Sequence, residues 1–227
     1  MKYLILLSGK LNSGKNQYAR YLTDHFESKG LTVKADLYAK DLKDFSVQDF
    51  STLGVVLSHK VDKIKAEIGA FFDSHEKASV AQQDAINKSL EDFTFGPANF
   101  YEDKTDITRT LLQVYGTDIA RTRFDNHFWI KKLAERINGD TDTDVIIITD
   151  VRFPNELEDI HDYVTSRRII PIRMERDIER NSVNKEHVSE TALDDYEFFE
   201  YIIDNNGTLE ALKESSDIVT DDIMTIE

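Results

Sequence analysis

Gly9-Lys10-Leu11-Asn12-Ser13-Gly14-Lys15-Asn16 constrains this chain most, because it departs at one position only from the phosphate-binding pattern G-x-x-x-x-G-K-[ST]. The run Tyr3 to Leu7 before it is apolar and reads as a buried strand. After it, Tyr18, Leu22 and Phe26 recur every four residues and read as one face of a helix. That strand–loop–helix setting gives the pattern a physical meaning. Glycines let the backbone wrap a polyphosphate, the helix N-terminus adds partial positive charge and Lys15 adds a full one. ATP or GTP is the expected ligand, held by Gly9, Lys10, Asn12, Ser13, Gly14, Lys15, Asn16 and Gln17. Asn16 stands where a hydroxyl would reach Mg²⁺, and its amide carbonyl can still hold a metal-bound water. The plainer alternative is a glycine turn that binds nothing.

Asp and Glu number 43 against 28 Lys and Arg, a formal charge of −15 over 227 residues. Such an average field repels a long polyanion, so nucleic acid is not an expected partner. A small nucleotide differs, since a local cluster of cations can hold it within an acidic body. There is no Cys, which excludes disulfides, a thiolate nucleophile and Cys-based metal sites, and fits a reducing cytoplasm. The apolar start is too short for a signal segment, and no stretch is long enough to span a membrane.

Along the chain, strands alternate with helices. The expected elements are a strand at 3–7, a helix at 15–28 ended by Gly30, and a strand at 31–35. A charged, helical excursion runs from about 39 to 93, followed by a turn at Phe95-Gly96-Pro97 and a helix near 106–120. A polar loop at 139–144 leads into the strand 145–149, ending at Asp150. A helix at 155–165, strands at 169–173 and 201–204, and a terminal helix from Thr208 complete the order. Uniformly apolar strands alternating with helices imply a parallel sheet covered on both faces: an α/β fold of the phosphate-loop type, one domain with a helical insertion.

Three further groups carry chemistry. Val145-Ile-Ile-Ile-Thr-Asp150 places a carboxylate at the end of a parallel strand, where ligands collect and where it can orient Mg²⁺ through water. A capping Asp would look the same, but Arg152, Asn155 and Glu156 crowd polar groups into the same turn. Arg109, Gln113, Thr117 and Arg121 recur every four residues beside Gly116, opposite a core face of Ile107, Leu111, Leu112, Tyr115 and Ile119. Arg can grip a phosphate bidentately and Gln can read a base edge; a solvated face is the alternative. Arg173, Arg176, Arg180, Lys185 and His187 form a basic segment in which Arg176 and Arg180 can flank a transferring phosphoryl group. Asp177, Glu179 and Glu186 are there to pair with them instead, and His187 alone reads as structural.

Taken together, these segments resemble the deoxynucleoside monophosphate kinases of bacteriophages. The matching pieces are Ser8-Gly9-Lys10 with Ser13-Gly14-Lys15, Lys34-Ala35-Asp36, Arg109 through Gln113 and Gly116-Thr117-Asp118 to Arg121, and Asp125 to Trp129. Asp150-Val-Arg152-Phe-Pro-Asn155-Glu156 and His187-Val-Ser189-Glu190-Thr191 complete them. The resemblance implies transfer of the ATP γ-phosphate to a 2′-deoxynucleoside 5′-monophosphate, with Mg²⁺, in the host cytoplasm. It implies catalytic roles for Lys15, Asp150, Arg176 and Arg180, and metal contacts from Asn16, Asp36 and Asp150. Substrate contacts would come from Asp36, Arg109, Gln113, Gly116, Thr117, Arg121, Asp125, Trp129 and Arg152. The segment 174–190 would be lid-like, and a homodimer is the expected oligomer. A small-metabolite kinase acting on phosphomevalonate, a non-catalytic ATP-binding module and a nucleic-acid motor are the competing readings. Gln113 favours an acceptor bearing a base, and the −15 charge disfavours the motor.

Overall fold

The computed structural model describes residues 2–41, 43, 117, 121, 125–177 and 188–225. They belong, apart from Asp41 and Lys43, to the compact unit formed by Met1–Lys40 and Thr117–Glu227; a second unit is Asp41–Gly116. The expected excursion at 39–93 (save residues 39–41 and 43), the turn at 95–97, the helix at 106–120 (save Thr117) and most of the segment 174–190 lie outside the described residues.

Five strands build the sheet: β1 (Tyr3–Gly9), β2 (Val33–Asp36), β3 (Val145–Val151), β4 (Arg168–Glu175) and β5 (Tyr201–Asp204). Their order is β2-β3-β1-β4-β5, and every pairing is parallel. The helices are α1 (Lys15–Ser28), α2 (Phe128–Gly139), α3 (Asn155–Glu158), α4 (Val188–Thr191) and α5 (Leu209–Thr225). The architecture is the α/β one expected, with a parallel central sheet. β1 is its middle strand and is buried along its whole length, which is why it reads as an unbroken apolar run.

Strand alternation divides the core into two layers. Tyr3, Ile5 and Leu7 pack with Val145, Ile147, Ile170 and Ile172 against Tyr18, Leu22 and Phe26 of α1 and Leu212, Val219 and Ile223 of α5. Leu4, Leu6, Ile146 and Ile148 are equally buried and point to the opposite face. The buried residues of α2, Trp129, Ile130, Leu133, Ala134 and Ile137, belong to no part of the first layer. At about 25 cal/mol per Å², each such fully buried aliphatic side chain contributes roughly 1.5–3 kcal/mol. Among the described residues, no helix is long and apolar enough to cross a membrane.

Two expectations need correction. The helix expected at 155–165 is a single α turn, Asn155–Glu158, followed by a 3₁₀ turn, Asp159–Asp162. Its inward-facing residues, Leu157 and Ile160, are three apart, the spacing that a 3₁₀ turn eclipses. In addition, α2 was not anticipated beyond the Asp125-to-Trp129 motif at its start.

Candidate active site

Parallel strands pointing one way bring their carboxyl ends to one edge, and the loops that follow them share that edge. The registers say which residues meet there. Ser8 of β1 lies opposite Val151 of β3 on one side and Arg173 of β4 on the other. Arg152, one residue past β3, and Arg173 therefore flank the Gly9–Lys15 loop. Between Ile148 and Val151, β3 carries one residue more than β1 does between Leu6 and Ser8. This bulge falls at Thr149-Asp150, and bulges of this kind re-aim side chains beside functional sites.

The loop itself is tightly formed. Ser13 N–H donates to the Lys10 carbonyl at 3.2 Å, and Asn12 adopts a positive φ of 61°. Gly14 caps α1 in the left-handed region, with φ 94°. A Cβ there would overlap Nδ2 of Asn205. Gly14→Ala is therefore expected to cost about 1–2 kcal/mol from backbone strain alone, and to displace Asn205 as well. Thermal denaturation checks this, and an unchanged Tm would contradict it. The first turn of α1 holds no acidic residue, so nothing there opposes an anion.

Lys15 is part-buried, and its Nζ donates to the carbonyls of Gly9 (2.6 Å) and Lys10 (2.7 Å), with Ser13 Oγ at 3.4 Å. Burial brings its pKa down to about 7, with Arg152 and Arg173 pushing the same way and Glu190 and Asp150 opposing them. The neighbouring cations are each met by a carboxylate from α4 or the turn after it. Arg152 pairs with Glu190 at 2.6 Å, Lys10 with Asp194 at 2.7 Å, and Arg173 with Asp194 at 3.4 Å. Arg173 also donates to Ser8 Oγ at 3.0 Å, and burial lowers its pKa. Among the described residues, Lys10, Lys15, Arg152 and Arg173 form one cationic rim around the loop.

Behind the rim lies a buried polar support. Glu156 Oε2 accepts the N–H groups of Arg152 (2.6 Å) and Phe153 (3.1 Å), and its Oε1 pairs with Arg121. Burial pushes the Glu156 carboxyl up, while Arg121 and the two N–H groups pull it down. Arg121 also lies 4.2 Å from the Phe153 ring centroid. Tyr38 donates its hydroxyl to the Glu156 carbonyl at 2.6 Å.

The expected site residues fall into three groups. Gly9, Lys10, Asn12, Ser13, Gly14, Lys15, Asn16, Gln17, Asp150 and Arg152 are brought to the loop edge, Asn16 with its side chain exposed. A second group is engaged elsewhere. Asp36 is bound by Arg136 (Nε to Oδ2, 3.0 Å) and by the Leu37 N–H at 2.7 Å. Arg121 serves Glu156, and Asp125 accepts the His127 N–H at 2.9 Å and pairs with Lys131. Trp129 is a core side chain at 4% exposure. Arg176 is exposed just past β4, and Thr117 is half-buried. The third group, Arg109, Gln113, Gly116, Arg180 and His187, lies outside the described residues. The sequence reading missed Asn205 and Asp194. Asn205 directly follows the last apolar strand, and ligand groups collect at strand ends; that signal was available.

As for a metal, no cluster of three or more His, Cys, Asp or Glu side chains suited to one occurs among the described residues. Asp150 accepts the N–H groups of Tyr38 (2.8 Å) and Ala39 (3.0 Å), one on each oxygen, and each oxygen keeps a lone pair for a metal-bound water. Mg²⁺ commonly keeps several waters and takes one or two carboxylates together with substrate phosphates. Asp150 fits that use, whereas Asp36, neutralised by Arg136, fits it less well.

The family model for deoxynucleotide monophosphate kinase matches residues 47–216. The chain belongs to that family. Membership makes it a nucleotide kinase, a phosphotransferase. The matched span begins after β2, so the Gly9–Lys15 loop stands on its own geometry. A deoxynucleoside-5′-monophosphate kinase from Escherichia phage T5 is 27% identical over 180 residues, covering 70% of this chain and 71% of the phage protein. An unliganded sugar kinase from Janibacter sp. HTCC2649 superposes with a TM-score of 0.42 at 14% identity, over 98% of this chain and 96% of that one. A likeness of that size says nothing about the substrate of this family member.

Proposed function

We propose that the chain transfers the γ-phosphate of ATP to a 2′-deoxynucleoside 5′-monophosphate, giving ADP and the deoxynucleoside diphosphate. The observation that carries this reading is Lys15, held part-buried beside Arg152 and Arg173 with its pKa brought down to about 7. Such a group of cations gains most by receiving a polyanion, whose charge offsets the repulsion among them. The family assignment and the phage relative support the nucleotide nature of that anion.

In this reading the loop N–H groups and Lys15 hold the β- and γ-phosphates. Arg152 and Arg173 reach the transferring phosphoryl group from the two neighbouring strand ends. Positioning and charge stabilisation do most of the work in phosphoryl transfer. Mg²⁺, when bound, supplies further charge neutralisation, and Asp150 with Asn16 would hold it through water. Asp36 and Arg121 act one step back: the first fixes Arg136, the second fixes Glu156 and hence Arg152. Glu190 pairs with Arg152, and Asp194 with Lys10 and Arg173, so phosphates would compete with these carboxylates for the same cations. Arg109, Gln113 and Gly116 stand, on the resemblance alone, as the acceptor-binding residues.

The test is to incubate the purified chain with ATP, Mg²⁺ and, in turn, dAMP, dGMP, dCMP, dTMP and phosphomevalonate. Formation of a deoxynucleoside diphosphate is expected with at least one of the four nucleotides. Phosphorylation of phosphomevalonate alone would overturn the acceptor assignment. ATP bound with every acceptor left untouched would overturn catalysis.

A further inference from the structure

The loop is held from a side that the sequence pattern does not mention. Asn205 follows β5 directly and is 6% exposed. Its backbone N–H donates to the Glu175 carbonyl at 2.8 Å, fixing it to the end of β4. Its side-chain Nδ2 donates to the carbonyl of Ser13 at 2.9 Å. The same Nδ2 occupies the space that a Cβ on Gly14 would need. A trans peptide is planar, with its C=O and N–H pointing in opposite directions. Holding the Ser13 carbonyl toward Asn205 therefore aims the Gly14 N–H the other way. Gly14 has no Cβ to choose between the two orientations of that peptide, so the choice falls to Asn205.

We infer that Asn205 is a positioning residue for nucleotide binding: it locks the Ser13–Gly14 peptide so that the Gly14 N–H faces the bound phosphates. This rests on the reading of the loop as the ATP phosphate site. The side-chain Nδ2 of Asn205 is engaged by the Ser13 carbonyl. It acts through one hydrogen bond on the orientation of one phosphate donor.

Two variants test it. Asn205→Ala removes the hydrogen bond. Asn205→Asp keeps the shape but replaces the donor by a carboxylate, which repels the Ser13 carbonyl and attracts the Gly14 N–H, favouring the flipped peptide. Binding of inorganic pyrophosphate and of ATP is measured by calorimetry, with the Gly14 amide followed by ¹⁵N NMR and KM and kcat measured for both substrates. Loss of a donor to an anion predicts affinity for pyrophosphate and ATP weakened by about tenfold or more, with Asn205→Asp the worse. The acceptor KM is expected to stay within twofold, and the Gly14 amide shift on adding pyrophosphate to disappear. Affinity within twofold of the parent in both variants, or an unchanged Gly14 response, overturns the inference. If Asn205→Asp does not fold, Asn205→Ala decides alone by the same readouts. Lys15→Ala is the control. If it too leaves pyrophosphate and ATP binding intact, the loop reading fails; if it abolishes binding while the Asn205 variants keep it, only the role of Asn205 fails.

Discussion

Lys15→Ala is expected to lower kcat for phosphoryl transfer from ATP by about a hundred- to a thousandfold, the loss typical of removing one preorganised charge donor. The side chain is placed for this by two constraints. Its stem starts the first turn of α1, and its Nζ is gathered onto the Gly9 and Lys10 carbonyls at 2.6 and 2.7 Å. Those carbonyls belong to the loop backbone, so the ammonium waits within the cradle that the phosphates would enter. The same geometry makes a second readout available. Burial, Arg152 and Arg173 hold the Lys15 pKa at about 7. At pH 8 only about one-tenth of such a lysine carries its proton. A polyphosphate beside it favours the charged form, so ATP binding at pH 8 takes up close to one proton. The sign follows: affinity falls as pH rises above 7 toward the pKa of the bound state. Calorimetry in two buffers of different ionisation enthalpy measures the uptake directly. It should be present in the parent chain, and its absence there would contradict this account of Lys15.

What could be read from the sequence divides along a physical line. Elements specified by local periodicity were legible: α1 spans the same residues as its apolar spacing, β5 spans the four residues expected, and β3 ends within a residue of Asp150. The loop was legible because its chemistry lies in contiguous residues. Pairings were not. Arg121 meets Glu156 across 35 residues and Arg136 meets Asp36 across 100, and nothing in the local sequence says which cation meets which carboxylate. Arg121 sits in a polar stripe that reads as ligand-binding, with a solvated face as the alternative, and the fold gives it to Glu156. Trp129 has the same history: an aromatic in a motif, placed by the apolar face of α2 into the core. For Asn205 the sequence shows a polar residue at a strand end, while its bond to the Ser13 carbonyl depends on the pairing of β5 with β4. The expected helix at 155–165 shortened because its apolar residues could be buried by a tighter turn.

Glu156→Ala should be the most destabilising single change considered, by about 3–5 kcal/mol, because it breaks a buried ion pair and leaves one charge without compensation. Glu156 is 2% exposed and Arg121 8%, so water cannot take over the lost contacts. Two N–H groups, of Arg152 and Phe153, lose their acceptor at the same time. The N–H groups of Glu156, Leu157 and Glu158 still bond to the carbonyls of Phe153 and Pro154 at the start of α3, but these bonds do not supply the acceptor that the Arg152 and Phe153 N–H groups lose. Glu156→Gln keeps an acceptor for those N–H groups but not the charge, so it should lose less. Replacing both partners, Glu156→Leu with Arg121→Met, removes the stranded charge and should recover part of the stability lost in Glu156→Ala, since apolar replacement of a buried pair is often near neutral. Urea denaturation of the four proteins gives these differences. The activity of the double variant separates the two roles of the pair. If Arg121 only positions the turn, kcat falls through misplacement of Arg152 while the turn stays folded. If the double variant keeps the parent rate, Arg152 is held without the pair, and the connection from Arg121 through Glu156 to the cationic rim is wrong.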